Sequence, residues 1–211
     1  EDKIYESSCS EAWNLTSCSY NSNSINTQDE YIAGLFFKPD GTKLYEIGYE
    51  RYKIYEYSCS EAWNLTSCSY NSKNIDTQDG TGVPTGLFFK PDGTKLYEIG
   101  DGGKINEYSC SEAWNLTSCS YNSKNIDTQD KVSQGLFFKP DGTKLYEIGY
   151  RGENIYEYSL MPLIREDLIV ASGDYATYEW LGLSEGITYE WFVEVSDGTN
   201  IITSDVWNFT T

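Results

Sequence analysis

The chain has 211 residues, with 15 basic and 33 acidic side chains, no histidine and a net charge of −18; its pI is near 4.2. Such a surface offers no basic face to phosphate and is repelled by anionic lipid, so nucleic acid and the membrane surface are excluded as partners. No apolar run approaches the ~18–20 residues of a membrane span, so no membrane insertion is expected, and no charged start followed by an apolar stretch marks a signal peptide.

In chain order the first element is "KIYESSC" (Lys3 to Cys9), which reads as a strand and runs into "CSEAWNLTSCSY". That block occurs unchanged at Cys9 to Tyr20, Cys59 to Tyr70 and Cys110 to Tyr121. Each cysteine pair encloses eight residues, which is not a usual zinc spacing, and without histidine further ligands are hard to find. The pairs therefore read as three local disulfides, Cys9–Cys18, Cys59–Cys68 and Cys110–Cys119, each contributing ~2.5–3 kcal/mol in the chain-entropy model. Bridges of this kind persist in oxidising surroundings and place the protein outside the cytoplasm. In an exported protein Glu1 is expected to be either a processed or an artificial end.

The next block, "GLFFKPDGTKLYEIG", is identical at 34–48, 86–100 and 135–149, and with the cysteine block it forms a unit of about 50 residues. Within one unit Leu35 to Lys38 reads as a first strand, Pro39-Asp40-Gly41 as a tight turn, and Lys43 to Ile47 as the second strand. "KIYEYSC" (Lys53 to Cys59) alternates with period two and reads as the third. The more polar "SCSYNSKNI" (Ser67 to Ile75) suits an outer fourth strand. On this reading the disulfide staples strands three and four at the outer rim, where burial is least.

Four strands per repeat describe a propeller blade. The motif "LFFKPDGTKLY" resembles the F-x-P-D-G-x-x-L signature of TolB-type and related blades, and the whole unit is similar to propeller repeats of archaeal, bacterial and phage surface proteins. The resemblance covers about residues 1–160 and implies an all-β fold of about three four-stranded blades. It is specific for the blade and nearly silent on activity. Closed propellers need four to eight blades, so either neighbouring chains complete the array or this is a piece of a longer one. The last copy carries Leu160 where the others have cysteine, and no fourth strand follows.

After "SLMPLIRED" the composition shifts, and residues 161–211 read as a second domain. "Leu183-x-x-Gly186-x-x-Tyr189" and the alternating segment that follows resemble the tyrosine corner and final strands of a fibronectin type III or Ig-like domain. Only about four strands fit in this length, starting near "DLIVAS", so a partial β-sandwich is expected.

Asn14, Asn64, Asn115 and Asn208 each open an N-x-[ST] sequon and are the candidate glycosylation sites. Three sit in the same hairpin loop of successive units. Without histidine, and with its carboxylates at like positions of identical repeats, the chain lacks the unlike pair that acid–base catalysis needs. No enzymatic activity is expected, and no cofactor or metal. Glu46, Glu98 and Glu147 lie on identical strands, and Asp40, Asp92 and Asp141 in identical turns. Copies alike even at exposed positions suit architecture. The expected function is a structural subunit of an extracellular filament or cell-surface layer, secreted and assembling with itself by strand complementation that buries Trp180, Trp191 and Trp207. The alternative is an adhesin-like or phage-type propeller binding surface glycans or a receptor.

Overall fold

The computed structural model describes residues 2–78, 80–159, 183, 185–186, 188–196 and 201–211. It divides into two units, Glu1–Ser159 and Leu160–Thr211. No helix among the described residues is long and apolar enough to cross a membrane.

The first unit is a succession of antiparallel meanders. A two-stranded hairpin, β1 (Lys3–Cys9) and β2 (Cys18–Asn26), comes first. Two four-stranded blades follow: β3 (Ile32–Phe37), β4 (Lys43–Gly48), β5 (Lys53–Cys59) and β6 (Cys68–Asp76), then β7 (Pro84–Phe89), β8 (Lys95–Gly100), β9 (Lys104–Cys110) and β10 (Cys119–Asp127). A three-stranded sheet of β11 (Ser133–Phe138), β12 (Lys144–Gly149) and β13 (Ile155–Ser159) completes the unit. These are propeller-like blades, as the repeat predicts. In each blade the K-P-D-G turn brings the first strand back along the second. Gly41 N donates to Lys38 O at 2.8 Å, and Asp40 Oδ1 accepts the Thr42 amide at 3.0 Å.

Two local expectations change. The first strand begins at Ile32 rather than Leu35, because a bulge between Ile32 and Gly34 carries the ladder past the glycine. The strands of successive blades run close here: a Cβ on Gly34 would lie in van der Waals contact with Gly86 Cα of the next blade at 3.5 Å, and Gly86 stands in the same relation to Gly135. The third strand does not have an inner and an outer face either. Ile54, Tyr55, Glu56 and Tyr57 are all buried, because each sheet is covered on both faces where a neighbouring blade packs. One core gathers Tyr45, Ile47 and Ile54 of one blade with Leu87, Phe89 and Tyr108 of the next. Another joins Ile4 to Leu44, Tyr57 and Leu65.

In the second unit β14 (Thr188–Trp191) pairs with β17 (Trp207–Thr210), and β15 (Glu194–Ser196) with β16 (Ile201–Thr203). The cross-strand pairs Tyr189–Phe209 and Trp191–Trp207 have ring centroids 5.7 and 4.6 Å apart. Gly186 adopts φ +76° and donates its amide to Thr211 O at 2.7 Å. The strand expected at "DLIVAS" and Trp180 lie outside the described residues.

Candidate functional site

The two ends of each blade are built differently, and both concern function. At one end lie the K-P-D-G turns and the stapled loops. Disulfides join Cys9–Cys18, Cys59–Cys68 and Cys110–Cys119, each across directly paired residues of the third and fourth strands. Every loop has the same backbone. Its tryptophan (Trp13, Trp63, Trp114) takes φ between +62° and +64°, and a 3-10 turn follows over Leu15–Ser17, Leu65–Ser67 and Leu116–Ser118. A bulky side chain at positive φ is costly; Trp13 adopts it while standing in solvent, and in the other two copies the K-P-D-G turn adds contacts. Trp63 N donates to Gly41 O and Trp114 N to Gly93 O, both at 3.1 Å. The bare Cα of each glycine lets the indole lie against the turn.

The expectation that this end is the least buried is corrected. Cys59, Cys68, Cys110 and Cys119 are all buried, because the loop of one blade is gripped by the blade before it. Glu56 is wholly buried and forms the centre of that grip. Its Oε1 accepts from Lys43 Nζ at 2.8 Å and Asn71 Nδ2 at 2.7 Å, and its Oε2 accepts the Leu116 amide of the next blade at 2.7 Å. Lys43 Nζ and the Tyr45 hydroxyl both donate to Trp114 O, at 2.6 and 2.8 Å. Lys73 Nζ donates to Asn115 Oδ1 at 2.8 Å. Leu116 fills the apolar floor at 0% exposure.

The preceding seam repeats part of this. Glu6 Oε2 accepts the Leu65 amide at 2.9 Å, and that bond, with others from Asn23 and Asn21, holds its carboxyl below the usual range. In the third grip Glu107 takes Lys95 at 2.9 Å and Asn122 at 2.6 Å. Among the described residues no following loop reaches it.

Asn64 and Asn115 therefore sit in a seam as well as in a loop, whereas the loop of Asn14 stands in solvent. Asn14, Asn64 and Asn115 are half-buried, and each donates Nδ2 to a glutamate three residues earlier, at 2.7–2.8 Å. Asn208 is exposed on β17, opposite Glu190.

Buried glutamates also lock each blade to the linker before it. Glu46 Oε1 accepts the amides of Gln28 and Asp29 at 2.8 and 3.3 Å, and its Oε2 the Tyr57 hydroxyl at 2.6 Å. Glu98 accepts from Gln78 N, Thr81 Oγ1 and Asn106 Nδ2, and Glu147 from Asp130 N, Ser133 Oγ and the Tyr158 hydroxyl. Burial pushes Glu46 and Glu98 above the usual carboxylate range. These groups clamp backbone. Asp40, Asp92 and Asp141 are exposed turn residues held down at about 2, first by hydrogen bonds from Lys38, Lys90 and Lys139. No group of three or more metal-binding side chains occurs among the described residues.

The opposite end is where the copies differ. Residues 53–79 and 104–130 differ only at Tyr55 against Asn106, and 86–100 and 135–149 not at all. The linkers into the first strand read "EYIA", "GTGVPT" and "KVSQ", and the loops after the second strand begin "YERY", "DGG" and "YRGE". Backbone bonds hold these segments together: Tyr49 N to Tyr31 O at 3.0 Å, Asp101 N to Val83 O at 3.0 Å, and Tyr150 N to Val132 O at 2.8 Å. Residues of the three linkers, together with Tyr49 and Asp101, line a cavity of about 330 Å³. The signal was present in the sequence, but only to a reader asking where otherwise identical repeats stop agreeing.

No protein-family model matches the chain, and no curated protein matches it in sequence. Solved structures do match its fold. A candidate 6-phosphogluconolactonase from Bacteroides uniformis superposes with a TM-score of 0.52 at 15% identity, over 93% of this chain and 58% of that one. The blades are thus similar in fold to the β-propeller of that structure. A luciferin-regenerating enzyme gives 0.49 at 20% identity over 63% and 41%, and a candidate 6-phosphogluconolactonase from Bacteroides fragilis 0.47 at 17% over 61% and 37%. The chain thus spans 37–58% of the length of these structures.

Proposed function

We propose that this chain is a structural element of an extracellular filament or cell-surface layer, in which blade follows blade through the stapled loop. The observation that carries the reading is a contrast between identical loops. Leu65 and Leu116 are buried in the grip of the preceding blade, whereas Leu15 is 87% exposed beside a fully exposed Trp13. Two apolar side chains on a rigid, disulfide-closed tip form a plug for a grip such as that around Glu107. Docking of this plug in a second copy is head-to-tail, and such contacts extend into filaments unless the rotation closes a ring. Sedimentation velocity and negative-stain microscopy test it: concentration-dependent ordered polymers are expected, and Leu15→Asp should abolish them. A chain that stays monomeric at every concentration overturns the proposal.

The same reading includes N-glycans on Asn14, Asn64, Asn115 and Asn208 in an exported protein, supported by the three disulfides. Intact-glycopeptide mass spectrometry on native material tests it; unmodified asparagine at all four sites rejects it. The TolB-type assignment of the repeat and the fibronectin type III assignment of the C-terminal unit belong here too. The second is supported by Leu183, Gly186 and Tyr189 at the spacing of a tyrosine corner. We read the chain as non-enzymatic, since its buried glutamates hold amides and hydroxyls of the framework. The enzyme names of similar folds, at 15–20% identity, speak for fold alone.

A further inference from the structure

We propose that the cavity at the variable end of the blades is a binding site for a small neutral saccharide, with Tyr49 as the stacking platform and Asp101 and Gln134 as hydrogen-bonding groups. The starting point is register. Ala33, Thr85 and Gln134 each precede the axial glycine of a first strand, so they occupy equivalent positions, and all three line the cavity. Tyr49 and Asp101, each directly after the second strand, are likewise equivalent and also line it. A threefold-repeated framework thus brings chemically unlike side chains around one hollow. Framework positions have not diverged in this way: the turns and stapled loops at the other end are identical in every full copy. Variation concentrated at one end of a held scaffold is what recognition requires, because an asymmetric ligand needs different groups at equivalent positions.

The chemistry of the lining selects the ligand class. Tyr49 stacks on Tyr31 with ring centroids 5.0 Å apart and an interplanar angle of 24°, and both rings remain partly exposed. This stack and the Tyr49–Tyr31 backbone bond hold the ring in place, giving a rigid amphipathic platform for the apolar face of a sugar. Asp101 Oδ1 accepts the Val83 amide at 2.6 Å, which fixes the carboxylate at the mouth. The Gln134 carboxamide, whose Nε2 gives one hydrogen to Ser133 O at 3.4 Å, retains a second donor hydrogen and its acceptor oxygen. Convergent acceptors and donors beside an aromatic face match vicinal hydroxyls. No lysine or arginine lines the cavity, and a carboxylate at the mouth of a protein carrying −18 charges disfavours an anionic ligand. An extended peptide is the poorer fit, because the cavity lies at strand ends and offers no open strand edge for main-chain pairing. A volume of about 330 Å³ falls at the small end of ligand pockets.

The test is a glycan array of neutral and anionic oligosaccharides probed with the whole chain, followed by calorimetric titration of the best neutral binder. Tyr49→Ala and Gln134→Ala should each weaken binding by about tenfold or more, the effect of a buried contact residue, while Tyr49→Phe retains it. Leu15→Asp, at the opposite end, should leave affinity unchanged even where it abolishes polymers, so failure of this proposal and of the assembly proposal are separable. Asp101→Asn keeps an acceptor for Val83 and guards against a merely unfolded loop. Binding of anionic glycans alone, binding of none, or undiminished binding by Tyr49→Ala with an unchanged melting temperature would overturn the assignment.

Discussion

The loops Cys9–Cys18 and Cys110–Cys119 share every residue and nearly every backbone angle, yet they live in different surroundings. Leu116 and Trp114 are buried where Leu15 and Trp13 stand in solvent. Both tryptophans take positive φ, at +64° and +62°, and both loops close on the same 3-10 turn. Local sequence thus sets the shape of the loop, while the presence of a gripping blade sets what that shape is worth. The difference teaches that the stabilising energy of this repeat resides in the seam between blades rather than in the stapled hairpin.

The largest expected effect comes from the leucines. Leu116→Ala should destabilise the chain by about 4 kcal/mol, through lost burial and an unfilled cavity, and Leu15→Ala by under about 0.5 kcal/mol; urea unfolding of the two variants compares them. Equal losses would break the contrast. Next is the centre of the grip. Glu56→Ala leaves Lys43 and the Leu116 amide without their carboxylate and should cost about 3 kcal/mol, whereas the more exposed Glu6→Ala should cost under about 1 kcal/mol. A guanidinium titration of both variants decides it.

The disulfides sharpen the comparison from the other side. All three close equal spans, with a sequence separation of 9, so the unfolded-state contribution is the same, ~2.5–3 kcal/mol each. Replacing Cys110 and Cys119 together by serine should cost more than replacing Cys9 and Cys18, since only the first pair puts hydroxyls into a buried seam. Melting temperatures of the two double variants measure the excess.

The smallest effect is on pH. Burial raises Glu46 and Glu98, so the folded state keeps protons that the unfolded state releases above about pH 4.3. Their contribution is present below that pH and is lost as pH rises through the raised folded value. Asp40, Asp92 and Asp141 run the other way: held at about 2, they stabilise above the ordinary aspartate range and lose that contribution as pH falls towards 2. Thermal stability should therefore peak near pH ~4–5. Glu46→Gln, which keeps an acceptor for Gln28, should flatten the limb towards neutrality in differential scanning fluorimetry at fixed salt. An unchanged profile would show that net charge alone sets it.

Much of this architecture was legible in the residues. The K-P-D-G turn, the repeat length, the cysteine spacing and the period of the third strand are local facts. Turn chemistry and chain connectivity suffice to convert them into hairpins, blades and bridges. Burial was not legible. The alternation of the third strand does not say that Glu56 is enclosed; it lies wholly inside because the Leu116 amide, 60 residues further on, comes to meet it. Asn115 reads as the tip of an outer loop, but Lys73 holds it in a seam. The hollow at the variable end draws residues from three linkers that no window of sequence shows side by side. Local hydrogen bonding and sterics determine how each copy folds on itself. Which faces are covered, which charges are enclosed and which unlike residues converge depend on stacking one copy upon the next, and only the tertiary structure decides those.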